Sequence, residues 1–248
     1  MRERGFSLVE IMMVILVFSV ITGAVFGLLS VAQQRYKMES EFLDSFQTTR
    51  LAIDQMVRDI HTTGYPPIDK VLPAVAQANP TLFAHPMAWN PGYDGVTCTV
   101  NATCRIPGTN DIILETDVDP EAANGVEWIR YMLVGTTLFR GMASKQAGVD
   151  PTVATRPNMV AYIENVVNER SNLPGFQQAI LQQHYANLWP GGADVPVFRY
   201  GFGAAPGGTA ADVVEVQITL IVMAPNLDPQ TRQPRVLSLN ALAHRFNP

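Results

Sequence analysis

The sequence predicts an α+β protein in which one long N-terminal helix packs on an antiparallel β-sheet. Two observations predict this class. Proline is absent from Phe6 to Thr63, and the apolar residues of the second half of that stretch recur at helical spacing. From Asp111 onward, short segments alternate apolar and polar residues, as strands do when one face is buried.

The long helix is predicted over residues 6–64, and its first half is apolar enough to cross a membrane. Residues 11–31 are almost wholly apolar, and a run of this length spans a hydrocarbon core of ~30 Å. Gly64 and the prolines after it predict the end of the helix. Between these limits an amphipathic stripe is predicted, made of Met38, Phe42, Phe46, Ile53, Met56 and Ile60, with Leu43 and Val57 beside it.

The apolar run is preceded by the segment Gly5-Phe6-Ser7-Leu8-Val9-Glu10, which places one carboxylate at the N-terminal end of the run. A charge at the centre of a membrane helix costs roughly 2.5–3.5 kcal/mol, and less near the interface, so Glu10 needs a partner. Arg2 and Arg4 keep the short leader, residues 1–5, on the cytoplasmic side. In a secretory signal the cleavage site follows the apolar run, whereas here Gly5 precedes it. Cleavage after Gly5 would therefore leave the apolar helix attached to the mature protein.

This segment resembles the type III signal of type IV prepilins and pseudopilins. The resemblance implies that a prepilin peptidase cuts after Gly5 and that the new N-terminal residue, Phe6, is N-methylated. It also implies that Glu10 pairs with the N-terminal amine of a neighbouring subunit during assembly. Such a pair would relieve two charges in a low-dielectric setting and fix the register between helices. The alternative is a plain signal anchor with an incidental glutamate.

Gly23 and Gly27 form a small-xxx-small spacing inside the apolar run, which permits close helix packing. Glycine is common in membrane helices, so the same spacing also occurs in helices where it has no role in packing. Major pilins often carry a proline near the position of Gly27, where the helix loosens in the filament. By resemblance, we hypothesise that Gly27 weakens the helix at the same place.

Residues 65–110 are predicted to form an irregular connecting region, because seven prolines interrupt them. The resemblance implies that this region makes subunit contacts. Cys98 and Cys104 lie within it, downstream of a cytoplasmic leader and one membrane pass. That places them in an oxidising compartment, and they lack Cys-x-x-Cys spacing, so a disulfide closing a small loop is predicted.

Residues 111–248 are predicted to form a β-rich globular domain. Val213–Val222 has the clearest alternation of apolar and polar residues, and residues Gly135 and Thr136 are predicted to turn a hairpin. Phe176–Leu188 has helical spacing instead. The remaining strands are predicted at Asp111–Asp117, Glu127–Val134, Thr137–Met142, Val195–Phe202 and Val236–Ala243, with a further apolar segment at Met159–Val167.

Composition and motifs argue against several classes of function. The net charge is −5, and the sequence contains no basic stripe that could neutralise phosphates. Nucleic acid is therefore not expected as a partner. No nucleophile elbow, phosphate-binding loop, dinucleotide fingerprint or zinc-protease motif occurs, so neither enzyme activity nor a cofactor is predicted. The four histidines lack ligand spacing. Asp117, Asp119 and Glu121 could supply oxygens to calcium, although a solvated turn is the simpler interpretation, and no metal site is predicted.

The end of the long helix, from Arg50 to Tyr65, resembles PilW-type minor pilins. The implied function is a minor pilin that takes part in the assembly or initiation of a type IV pilus. Its implied partners are prepilin peptidase, other pilin or pseudopilin subunits and inner-membrane lipid. It would begin as a single-pass inner-membrane protein with a periplasmic C-terminal domain and end at the pilus tip. The alternatives are a J-type pseudopilin of type II secretion, with its pseudopilus, and a signal-anchored periplasmic enzyme or binding domain.

Overall fold

The computed structural model describes residues 7–85, 87–88, 107–121, 125–203, 209, 212–228 and 231–247. The predictions for Gly5, Phe6, Cys98 and Cys104 lie outside these residues. Within them, a long N-terminal helix followed by antiparallel sheets confirms the predicted α+β class.

The N-terminal helix α1 spans Leu8–Thr62, 55 residues without interruption. Ser7 is its N-cap, and after Thr63 the chain turns through Gly64, whose φ of 80° suits glycine. These bounds fall inside the predicted range of 6–64. The helix makes about 15 turns, and the absence of proline from it removes one common cause of a kink.

The two halves of α1 differ completely in burial. From Ser7 to Lys37 every residue is exposed except the half-exposed Thr22. The distal half packs on the rest of the chain through Met38, Thr49, Ala52, Ile53, Met56, Asp59 and Ile60. The prediction that Leu43 lies beside this stripe is wrong, since its side chain is 54% exposed. Leu43 precedes Ala52 by two and a half helical turns, which places it on the opposite side of the helix.

Short elements follow α1 before the first long strand. They include a 3₁₀ turn at Ile68–Lys70, the helix α2 at Pro73–Ala78 and the two-residue strand β1 at Met87–Ala88. A five-stranded antiparallel sheet runs β1-β2-β3-β4-β5. Its other strands are β2 at Asp111–Thr116, β3 at Glu127–Val134, β4 at Thr137–Ser144 and β5 at Val160–Ile163. The predicted hairpin joins β3 to β4 through Gly135, whose φ is 61°.

A second sheet of three antiparallel strands runs β6-β7-β8. Its strands are β6 at Phe198–Phe202, β7 at Val213–Met223 and β8 at Val236–His244. The two sheets are joined just after β5, where Val166 bridges Val222 and the Val167 N–H donates to the Ile221 carbonyl at 2.7 Å. The chain therefore crosses from one sheet to the other immediately beyond the edge strand β5.

The main core lies between the distal half of α1 and both sheets. It places Met56 and Ile60 of the helix in one buried cluster with Ile112 of the first sheet and Ile218 of the second. A smaller cluster lies around Trp189 and Leu181, under the helix α4 at Gly175–Tyr185. The other short helical elements are α3 at Pro151–Thr155 and 3₁₀ turns at Arg156–Asn158, Arg170–Asn172, Ala186–Leu188 and Pro190–Gly192.

Asn168 holds the segment that carries α4 to the second sheet. The side chain is fully buried, and its Nδ2 donates to the carbonyls of Thr219 and Val195 at 2.8 and 3.1 Å. Its Oδ1 accepts from the Ile221 N–H at 2.8 Å. Buried amides must find such partners, and here they come from two separate chain segments. This explains why the predicted strand Val195–Phe202 begins regular pairing only at Phe198.

The far end of α1 is joined to the first sheet and to the C-terminus. We call this the distal junction, made of Thr62, Gly64, Glu115, Thr116 and Asn247. The Gly64 N–H donates to the Glu115 carbonyl at 2.7 Å, and Thr116 Oγ1 donates to the Thr62 carbonyl at 2.9 Å. Asn247 Nδ2 donates to the Thr62 carbonyl at 3.3 Å. The carbonyls that a helix end leaves unpaired thus gain partners from two distant segments.

Candidate assembly site

The N-terminus of α1 presents a single carboxylate, that of Glu10. Glu10 lies three residues after the N-cap Ser7, and its Oε2 accepts from the Ser7 backbone N–H at 2.9 Å. This is the reverse half of a capping box, which satisfies one of the N–H groups that a helix start leaves unpaired. The side chain is otherwise exposed. A carboxylate has about four acceptor positions, so the contact with Ser7 leaves Glu10 able to accept further donors.

The apolar residues after Glu10 have no partner among the described residues. Exposed fractions here include 67% for Phe18 and 65% for Phe26. The most apolar part of α1 has a mean hydropathy of 2.6 and none of it is buried, so by length and composition this helix could cross a membrane. A surface this apolar requires lipid or other helices around it, because water would otherwise solvate it at high cost.

Gly23 and Gly27 lie within this exposed half and make no close contact inside the described chain. A Cβ added at either position would meet nothing within 4 Å. Neither glycine is therefore needed for packing within the described part of the subunit, and the space beside both is open to a second helix. Helix α1 is continuous through both residues in the single chain, so the hypothesis of loosening at Gly27 concerns the filament alone.

Asp59 fixes the distal half of α1 to the five-stranded sheet. Its Oδ2 accepts from the Tyr131 hydroxyl at 2.6 Å and from Arg140 Nη2 at 3.1 Å, while its Oδ1 accepts from Gln55 Nε2 at 2.6 Å. Burial and the adjacent Asp59 carboxylate raise the pKa of Tyr131, which keeps its hydroxyl a donor. Sequence analysis missed this anchor. The sequence did contain a signal, because Asp59 is a charged residue that falls on the predicted apolar stripe between Met56 and Ile60.

We predict that Tyr131→Phe lowers the free energy of unfolding by about 1.5–3 kcal/mol, because a hydrogen bond to a buried carboxylate is lost. The measurement is chemical denaturation of the full chain in detergent, followed by tryptophan fluorescence. Tyr36→Phe is the matched control, since Tyr36 is 78% exposed and should change stability by less than about 0.5 kcal/mol. Equal stability of the two variants would contradict the anchoring role of Tyr131.

A second buried ionic contact joins β2 to the chain after β4. Glu115 has no exposed surface, and its Oε2 accepts from Lys145 Nζ at 2.9 Å and from the His85 N–H at 2.8 Å. Its Oε1 accepts from Trp128 Nε1 at 2.6 Å. Burial raises the pKa of Glu115, and the Lys145 ammonium acts in the opposite direction. The pair is enclosed rather than open to a ligand, so it stabilises the fold.

The candidate calcium ligands do not converge. Asp119 and Glu121 are exposed and Asp117 is half-buried. Across the described ranges, no group of three or more histidine, cysteine, aspartate or glutamate side chains is placed to hold a metal ion. The geometry of these residues therefore gives the calcium hypothesis no support.

Residues 1–26 match the family model for the prokaryotic N-terminal methylation motif. The match covers the predicted leader, Phe6, Glu10 and most of the exposed apolar half of α1. Together, the motif and the long apolar helix support a protein of the type IV pilin-like class. They imply processing by prepilin peptidase and assembly with pilin subunits, and they fit an inner-membrane anchor with a C-terminal domain. No curated protein and no solved structure matches the chain.

Proposed function

We propose that this chain is a minor pilin that helps to initiate or assemble a type IV pilus. The observation that carries the proposal is the start of α1, where the methylation motif coincides with an exposed glutamate and a bare apolar helix. No residue of the subunit itself covers this half of the helix within the described chain. A surface of this kind is stable in a membrane before assembly and among other helices after it.

The proposed mechanism uses the charge at Glu10. After cleavage between Gly5 and Phe6, the new amine is positive and the Glu10 carboxylate negative. When subunits leave the lipid and pack helix to helix, each carboxylate pairs with the amine of a neighbour. Mispaired helices would bury an uncompensated charge, which costs several kcal/mol, so the pair selects one axial register.

The minor role rests on the size and shape of the domain after α1. Two sheets pack on one face of the distal half of the helix, and the α4 segment adds further bulk against the second sheet. This bulk would hinder tight lateral packing of many copies, so we propose a location at the tip, with the domain periplasmic before assembly. We propose a structural role without catalysis. Loss of surface pili on deletion, with secretion of exoproteins unchanged, separates this role from that of a J-type pseudopilin.

We predict that Gly5→Ala abolishes leader removal, because a Cβ next to the scissile bond obstructs the peptidase. Mass spectrometry of the purified protein should show an uncut start for this variant and an N-methylated Phe6 for the parent chain. Gly23→Ala is the matched control, since a Cβ there meets no neighbouring atom and processing should be normal. A Gly5→Ala chain that is cut as efficiently as the parent, or a parent chain beginning at another residue, defeats the proposed function.

A further inference from the structure

A groove separates the edge strand β5 from the middle of α1. It has a volume of about 380 Å³. One wall is the segment 161–165, which consists of the end of β5 and the two residues after it, and Ser45 and Thr49 of the helix also line the groove. Val222 and Pro225 close the other side, where the second sheet begins. The groove therefore lies between the two sheets, next to the place beyond β5 where Val166 bridges Val222.

The strand along this groove has an unpaired edge. Backbone pairing of Val160–Ile163 runs to β4 alone within the described residues, and no other backbone or side-chain group contacts their N–H or carbonyl groups. Val160 is 62% exposed and Ala161 is also exposed. Proteins commonly protect such an edge with proline, lysine or a bulge, because it is a template for another strand. The segment from Met159 to Glu164 contains neither proline nor lysine, and its protection is limited to a register shift against β4 that leaves Tyr162 as an extra residue on β5.

The charge of the groove is negative. Asp44 of α1 and Glu164 after β5 both line it, and both are exposed. Its lining includes no lysine, arginine or histidine. Two polar side chains on the helix wall are committed to the helix itself, since Ser45 Oγ donates to the Glu41 carbonyl at 2.9 Å and Thr49 Oγ1 to the Ser45 carbonyl at 2.7 Å. The two carboxylates are the charged groups of the lining, beside the uncharged Thr48, Tyr162 and Asn165.

We infer that this groove receives an extended, basic segment of a neighbouring fibre subunit, which adds to the edge of β5 as a further strand. Main-chain hydrogen bonds to β5 would supply affinity, and a lysine or arginine facing Asp44 and Glu164 would supply selectivity. Alternate side chains of the added strand would face the floor of the groove. The inference rests on the proposed function for the identity of the partner, but the geometry of the groove does not depend on it.

The direct test uses synthetic peptides and the full-length protein in detergent. Three fluorescent hexapeptides are compared by anisotropy: Lys-Val-Thr-Val-Thr-Lys, its acidic counterpart Glu-Val-Thr-Val-Thr-Glu, and the basic peptide with alternate amides N-methylated. The basic peptide should bind about tenfold more tightly than either of the others. The acidic peptide loses the charge match with Asp44 and Glu164, and the N-methylated peptide loses the main-chain hydrogen bonds to β5. Equal binding of the three peptides, or no binding of the basic one, overturns the inference.

A charge-reversal variant tests whether the basic peptide binds in the groove. Asp44→Lys combined with Glu164→Lys should weaken the basic peptide by about tenfold and favour the acidic one. Asp119→Lys combined with Glu121→Lys is the matched control, since it makes the same change of charge at exposed positions outside the groove. Unchanged binding by the groove variant overturns the assignment, as does an equal loss in the control.

The same variants in cells distinguish this inference from the proposed function. The groove variant should be processed at Gly5 and membrane-anchored, but its incorporation into the fibre should fall relative to the control pair. If the groove variant assembles normally while Glu10 variants do not, only the groove inference fails. If Gly5→Ala is processed normally, the proposed function fails whatever the peptides show.

Discussion

Replacing Glu10 by alanine is expected to leave the chain processed and folded but to reduce its incorporation into the fibre by about 100-fold or more. The reason is electrostatic. Removing one partner of a buried ion pair costs about 3–5 kcal/mol, and each 1.4 kcal/mol is roughly a factor of ten in an equilibrium. The measurement is the ratio of the protein in sheared fibres to that in membranes, together with mass spectrometry of the N-terminus.

The structure shows a second role for Glu10 that this experiment must separate, namely its contact with the Ser7 N–H. Glu10→Gln achieves this, because glutamine can still accept that hydrogen bond but carries no charge. If the ion pair with a neighbouring amine drives assembly, glutamine should fail almost as completely as alanine. Assembly of the Glu10→Gln protein at the parental level would show that helix capping, rather than charge pairing, explains the requirement.

The largest expected loss of stability follows the replacement Lys145→Met. It leaves Glu115 buried without its ammonium partner, and we expect the free energy of unfolding at neutral pH to fall by about 3–5 kcal/mol. Lys37→Met is the matched control. Its side chain is 78% exposed and its contact with Glu41 is 3.8 Å, so the expected loss is below about 1 kcal/mol. Chemical denaturation of the full chain in detergent measures both.

The deficit of Lys145→Met should depend on pH with a definite sign. Burial already raises the pKa of Glu115, and loss of the Lys145 ammonium removes an opposing effect, so the pKa of the folded variant rises further. A raised pKa in the folded state means that stability is retained below the unfolded pKa and is lost as pH rises through the folded one. The deficit should therefore grow as pH rises from the folded-state pKa of Glu115 in the parent chain towards the higher one in the variant. A deficit independent of pH would contradict the further rise of the Glu115 pKa in the folded variant.

Local patterns predicted the elements of this fold well. The absence of proline and the helical spacing of apolar residues predicted α1, and the alternation of apolar and polar residues around Ile218 predicted β7. Both patterns depend only on residues that are close in sequence. The position of Glu10 at the helix start could be predicted for the same reason. Leu43 was misplaced because a stripe with gaps of three, four and seven residues does not determine which flank of the helix is covered.

Long-range side-chain partners could not be predicted in the same way. Tyr131 and Asp59 are 72 residues apart, and Lys145 and Glu115 are 30 apart. Choosing such partners requires the register of the strands and the rotation of α1 above them, and neither is encoded in local periodicity. The groove beside β5 was missed for a related reason, since an open edge appears only when the order of the strands is known.

The distal junction has a mechanical consequence for a subunit at the end of a fibre. Force applied to the domain reaches α1 through Thr62, Gly64 and Asp59, which lie within two turns of its end. These bonds come from separate strands and from Asn247, and the buried contacts of Met56 and Ile60 add to them, so several contacts share a load between helix and domain. Sharing the load should raise the force that the domain withstands before it separates from the helix.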